Sequence, residues 1–331
     1  MRDPRPAATR RRGGLALAVG LIVLLALALT SLFVGTASLG PADLIRGLDE
    51  RQTQTLLESR LPRTLALILS GSAMAVAGIV MQLLVRNRFV EPTTAGTTES
   101  ATLGLLLATV IAPAMPLPGK MALAVVAGLA GTWLFLRILG NIPLRSQVVA
   151  PVVGLVLSGV VGSVSTFIAY RADLMHTLSA WMTGDFSGVV SGRYEFLWIV
   201  AACGVIAYLA ANRFTVAGLG EQFSTNLGIN HRRVMALGLT IVAVTAAVVV
   251  VVVGALPFLG LVVPNIVSAV MGDYLRRSLP WVALVGAGFV LVADLIGRTV
   301  IAPAEIPVGV VAGVLGAAVF LVVLARRFRD G

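Results

Sequence analysis

Residues 234–272 read VMALGLTIVAVTAAVVVVVVGALPFLGLVVPNIVSAVMG, with no charged side chain between Arg233 and Asp273. As one helix this stretch would be about 58 Å long at about 1.5 Å per residue. A hydrocarbon core is only about 30 Å thick. The run must therefore break, and Gly254, Pro257, Gly260 and Pro264 supply the break. Two membrane spans result, at 234–253 and about 257–271.

The rest of the chain agrees with a membrane setting. Of 331 residues, 58% are hydrophobic and 12% charged, and the mean hydropathy is +0.97. A soluble domain carries about 25% charged residues. Apolar runs at 15–34, 63–85, 100–112, 121–136, 146–169 and 196–211 precede the central run, and runs at 281–296 and 306–324 follow it. The expected fold is all-α and polytopic, with about ten transmembrane helices. The first run is too long for the apolar region of a signal peptide and reads as a retained helix.

Ten spans place both termini on one side. The termini and alternate loops carry 17 of the 25 basic residues: Arg2, Arg5, Arg10, Arg11, Arg12, Arg86, Arg88, Arg137, Arg145, Arg213, Arg232, Arg233, Arg276, Arg277, Arg326, Arg327 and Arg329. The other face carries 8: Arg46, Arg51, Arg60, Arg63, Lys120, Arg171, Arg193 and Arg298. Basic excess marks the cytoplasmic side. The expected organisation is a basic cytoplasmic segment at 1–14, a membrane domain at 15–326 and a cytoplasmic tail at 327–331. The net charge of +10 is thus a topology signal, and no soluble basic domain exists to hold nucleic acid.

Residues 213–233, RFTVAGLGEQFSTNLGINHRR, form a cytoplasmic polar island. Glycines at 218, 220 and 228 bracket a helix-sized segment, so a compact helix–turn–helix at the membrane surface is expected, placed to receive force from another protein. No catalytic set is visible. The single Gly-Lys pair, Gly119-Lys120, has Ala114 where a phosphate loop needs its first glycine. His176 and His231 fall on opposite faces and cannot share a metal, so no catalytic and no metal site is expected. The lone Cys203 excludes a disulfide framework within one chain.

Small residues are frequent in the second and fifth runs, where close helix packing and a polar pathway are both open readings. Ser158, Ser163, Ser165 and Thr166 would line such a pathway. Asp294 and Glu305 are the carboxylates expected near membrane depth, and Asp294 with Arg298 at i+4 makes a structural ion pair.

Several motifs then occur in order: Arg60-Leu61-Pro62-Arg63, Gly78-Ile79-Val80-Met81-Gln82, Asn87-Arg88-Phe89-Val90-Glu91-Pro92 with Ala95-Gly96, Gly254 to Pro264, Ala293-Asp294 with Arg298, and Ala302 to Gly309. Across about residues 15–326 the chain resembles the FecCD family, the ABC-importer permeases for iron–siderophore, haem and cobalamin. The resemblance implies a type II importer permease fold and a dimer of permease chains, identical or different. It also implies two ATP-binding subunits on the cytoplasmic face, which carry the ATP and Mg, and an extracytoplasmic substrate-binding protein. No cofactor is implied for the permease itself. Gly220, Glu221, Leu227 and Gly228 match the family's ATPase-coupling loop. Arg60, Arg63 and Arg298 match outer-face arginines that pair with acidic residues of the binding protein, although Arg60 and Arg63 also suit a helix end anchored at the headgroups. Asn265 stands where many members have His after Val-Pro. With residues 89–97 it resembles the branch serving catecholate-type siderophores. Haem or cobalamin import is the neighbouring alternative, and an ion-coupled carrier the alternative from another class. A reporter fused after residue 225 is expected to read cytoplasmic and one near residue 180 external; the reverse pattern would overturn the charge-based topology.

Overall fold

The computed structural model describes residues 7–35, 49–142 and 148–329. Arg2, Arg5, Arg46 and Arg145 of the charge count lie outside them, as do residues 1–6, 330–331 and the first two residues of the expected fifth span. Among the described residues the secondary structure is helical, without strands. In chain order the helices are α1 (Ala7–Phe33), α2 (Glu50–Thr55), α3 (Leu61–Val85), α4 (Thr97–Ile111), α5 (Leu117–Gly140), α6 (Val149–Arg171) and α7 (Met175–Thr183). Then come α8 (Leu197–Leu209), α9 (Ala211–Gly218), α10 (Glu221–Asn226), α11 (His231–Val253), α12 (Leu259–Met271), α13 (Leu275–Thr299) and α14 (Val308–Arg329). A π-helical turn, Leu56–Arg60, joins α2 to α3 without a stop.

Among the described residues six segments are long and apolar enough to cross a membrane, and a seven-span count results if Tyr194–Leu209 and Ala211–Gly218, bent by 65°, are taken as one span. Three apolar helices are shorter: Thr97–Ile111, Leu259–Met271 and Val308–Val322. Each of the ten expected runs is thus occupied by a helix. Two further helices, α2 and α7, fill stretches expected to be polar loops.

Helices α3 and α11 form the centre. Nearly all of α3 is buried, and Val248 to Val253 of α11 are inaccessible. The small residues of the second run serve packing here. A Cβ on Gly71 would lie 2.7 Å from Gly286 O on α13, and one on Gly78 would collide with Gly260 O on α12. Backbones approach this closely only where side chains are absent.

The central run breaks at Gly254 (φ 87°), and Ala255 N donates to Trp181 O of α7 at 2.8 Å. Gly260 and Pro264, expected at the break, instead lie inside α12. Pro264 has no amide to give the carbonyl four residues earlier, Gly260 O. Gln82 Nε2 of α3 donates to that carbonyl at 3.2 Å, so the helix continues through the proline.

At 15 and 13 residues, α4 and α12 are about 22 and 20 Å long. Both begin inside the bundle. The N-terminal turn of α12 rests on the middle of α3, where a Cβ on Gly260 would lie 3.2 Å from Met74 O. Replacing Gly78 by Ala should cost about 1–3 kcal/mol through overpacking. Gly159→Ala, where nothing lies within 4 Å of the new methyl, should cost nothing. Melting of the purified chain in detergent measures both, and equal midpoints would refute the packing role of Gly78.

Candidate functional site

Two polar sites lie at opposite ends of α3, about 35 Å apart by helix rise between Arg63 and Arg86. The first is an arginine cluster. Arg60 and Arg63 are one turn apart at the start of α3, and Asp294 and Arg298 one turn apart near the end of α13. Close packing of α3 on α13 brings the pairs together. Arg63 Nε and Nη2 donate to Asp294 Oδ1 at 3.0 and 2.7 Å, while its Nη1 meets Glu305 Oε2 at 2.8 Å. Arg298 pairs with Asp294 Oδ2.

The remaining donors turn to α1. Arg298 Nη1 donates to Ser31 O at 3.1 Å and Val34 O at 2.6 Å, and its Nη2 to Ser31 Oγ at 2.7 Å. Arg60 Nη1 donates to Leu32 O at 2.6 Å. A helix C-terminus leaves carbonyls without intrahelical partners and carries partial negative charge, so guanidinium groups suit it. Asp294 is fully buried, Arg60 and Arg298 nearly so, and Arg63 and Glu305 are the more accessible members. The structure therefore holds the three arginines in one cluster. Asp294 serves two guanidinium groups, and the Arg298 fork is shared between Asp294 and α1. The long-range partners left no local signal, since Arg63 and Asp294 are 231 residues apart.

The second site is residues 211–231. Helix α9 turns off α8, Gly220 (φ 114°) starts α10, and Gly228 (φ 74°) ends it. Asn230 Oδ1 caps α11 by accepting from Arg233 N at 3.1 Å. Buried Ser224 lies with its Oγ 3.0 Å from His231 Nδ1, tying α10 to α11. Glu221, Leu227 and Gly228 are exposed, whereas Gly220 is buried against Arg86, whose Nη1 would be 3.1 Å from a Cβ there. The sequence reading missed Leu219 and Phe223, both more than half exposed. Their spacing of four with Leu227, in an otherwise polar stretch, was the available signal.

The hydroxyls of α6 divide. Ser163 and Thr166 are exposed along a groove of about 640 Å³ with Gly159, Gly162 and Tyr170. Ser165 is buried on the other side. Ser158 Oγ points inward, 3.2 Å from Thr93 O and 3.5 Å from Glu99 Oε2.

Asp294 and Glu305 are not the only carboxylates at depth, contrary to expectation. Residues 90–96 fold back into the bundle. Glu91 there is fully buried, and its Oε1 accepts from Phe258 N at 2.9 Å and Thr93 Oγ1 at 2.7 Å. Pro92 and Gly96 around it resemble loop punctuation, which concealed the return.

The chain is thus a multi-pass helical bundle with a broken central run, an arginine cluster at one end and a short-helix segment at the other. Residues 22–326 match the FecCD transport family, and the chain belongs to that family. It is 47% identical over 307 residues to the petrobactin import system permease protein YclN of Bacillus subtilis (strain 168), covering 92% of this chain and 96% of that protein. It is 40% identical over 297 residues to the ferric-anguibactin transport system permease protein FatD of Vibrio anguillarum (strain ATCC 68554 / 775), covering 90% and 94%. A solved structure described as an inward-facing conformation of a metal-chelate type ABC transporter superposes with a TM-score of 0.80 at 24% identity, covering 94% of this chain and 99% of that one.

Removing Asp294 takes the carboxylate from the buried Arg298 and one of two carboxylates from the partly exposed Arg63. Asp294→Ala should destabilise the chain by about 3–5 kcal/mol, and Glu305→Gln by far less, because Glu305 is partly solvated. Thermal unfolding in detergent reads the difference, and equal effects would refute the central role of Asp294.

Proposed function

We propose that the chain is a permease subunit that carries a ferric siderophore, of the catecholate type, across the bacterial cytoplasmic membrane by alternating access. One observation carries this reading: identities of 40–47% over nearly whole chains to permeases named for petrobactin and anguibactin. Both termini are cytoplasmic in this reading, supported by the 17-to-8 division of basic residues. A second permease chain, identical or related, completes the pathway, with Ser163 and Thr166 on the α6 groove facing it and Ser158 and Ser165 behind.

Two ATP-binding subunits supply the hydrolysis and its Mg from outside this chain. They dock on residues 213–233, where Glu221, Phe223, Leu227 and Gly228 are accessible and Gly220 passes the load to Arg86. An extracytoplasmic binding protein docks at the opposite end through carboxylates that approach Arg63, with Arg60 and Arg298 behind it. Such rim pairs orient a partner more than they hold it.

Uptake by the reconstituted complex tests the reading. Ferric petrobactin should be taken up in an ATP-dependent manner and resist dissipation of the membrane gradient. Ferric hydroxamate, haem and cobalamin offered to the same binding protein should not compete, and preferential uptake of any of these would overturn the substrate assignment. Leu227→Asp should weaken ATPase association by about tenfold or more, as loss of an apolar anchor does. Unaltered association would leave the 213–233 segment a linker.

A further inference from the structure

One short stretch of chain holds α12 along its whole length. At the N-terminus, Glu91 Oε1 accepts from Phe258 N at 2.9 Å. Within the first turn, Gln82 Nε2 bonds Gly260 O at 3.2 Å. Midway, Asn265 Nδ2 donates to Arg88 O at 2.9 Å. Beyond the C-terminus, Arg88 pairs with Asp273. Residues 82–91 therefore reach both ends and the middle of one helix.

The chemistry at the N-terminus is demanding. A helix start leaves amide donors without intrahelical partners, and this one lies in the bundle's interior. The fully buried Glu91 carboxylate caps it, and its second oxygen, Oε2, is buried without a hydrogen bond of its own. Thr93 Oγ1 at 2.7 Å from Oε1 fixes the orientation of the carboxylate. Phe258, the residue that accepts this cap, sits at φ 62°, a conformation that a bulky side chain adopts only under outside constraint.

One end of this assembly touches the 213–233 segment and the other the junction of α7 and α14. At one end, Arg86 lies against Gly220 at the start of α10. At the other, the turn 254–258 is bonded to α7 through Ala255 N and Trp181 O, and a Cβ on Gly316 of α14 would lie 2.6 Å from Phe258 Cβ. Gly309 N, at the start of α14, in turn donates to Gly184 O after α7 at 2.9 Å.

We infer that residues 82–91 and α12 move as one rigid strut between the 213–233 segment and the α7–α14 junction, with Glu91 as the positioning residue that joins them. The inference rests on the reading of the chain as an ATP-driven permease. In that cycle the strut converts displacement of Gly220 into displacement of the turn at Gly254.

Two arms test it in proteoliposomes holding the permease with its ATPase and binding protein. In the first, Arg88→Cys and Asp273→Cys are bridged by a short bifunctional thiol reagent in a Cys203→Ala background. Replacing this pair removes the tie beyond the C-terminus of α12, so uptake per ATP with the bridge is read against the same double-cysteine protein without it. Bridging should leave ferric-siderophore uptake per ATP unchanged, and arrest by the bridge would overturn the strut. In the second, Glu91→Ala should keep ATP hydrolysis while uptake per ATP falls about tenfold, the scale of one buried unsatisfied amide. Glu91→Gln keeps an acceptor oxygen and should restore the ratio. An unchanged ratio in Glu91→Ala, or a Gln variant as poor as the Ala variant, would overturn the role of Glu91. If Glu91→Ala does not assemble, the bridging arm decides. Failure of the unmodified complex to couple ATP to uptake would count against the functional reading, not the strut.

Discussion

A helix that ends inside a hydrocarbon-depth bundle has no water to satisfy its terminal amides or carbonyls. That constraint explains where this chain places several of its few polar side chains. The N-terminus of α12 takes Glu91. The carbonyl freed by Pro264 takes Gln82. Nearer the rim, the C-terminal carbonyls of α1 likewise take Arg60 and Arg298. In each case the partner comes from a distant element, so a backbone need becomes a tertiary link.

The arginine cluster shows the same economy with charge. A buried ion pair gains little over an apolar substitute, yet removing one member is expensive because the other stays charged in low dielectric. Here Arg63 and Arg298 share Asp294, Arg63 also meets Glu305, and Arg60 and Arg298 donate to α1. The cluster is thus a structural clasp between α1, α3 and α13, with Arg63 as its more accessible arginine. Its use by a partner must leave enough donors on Asp294 and α1 to keep the clasp shut.

The sequence made some of this legible. The ten apolar runs are set by bilayer thickness, a one-dimensional property, and each has its helix. The break after Val253 and the paired short helices around Gly220 and Gly228 were local punctuation. The Asp294–Arg298 pair was one helical turn. Other features had no local trace. The return of residues 90–96 into the bundle depends on α12 offering an N-terminus there. Whether Pro264 breaks or merely interrupts depends on a glutamine 182 residues earlier. Glycine was ambiguous by nature: Gly71 and Gly78 let backbones touch, while Gly159 and Gly162 face open space. Helices α2 and α7 are short, and apolar run length does not reveal them.

Helix α1 is largely exposed and packs chiefly along α13, with Gly20 against Leu284 and Trp281, Leu24, Leu27 and Ala28 on the core, Ser31 near Thr64, and the guanidinium bonds at its C-terminus. Val34 and its partner Arg298 are separated by 264 residues. A ribosome adding about 5–20 residues per second takes on the order of tens of seconds to cover that distance. During synthesis the Ser31 and Val34 carbonyls must therefore wait for Arg298, while Leu32 O has Arg60 only 28 residues behind it. Closure of the clasp is one of the last events in making this protein, and a chain truncated before α13 leaves its first helix without that anchor.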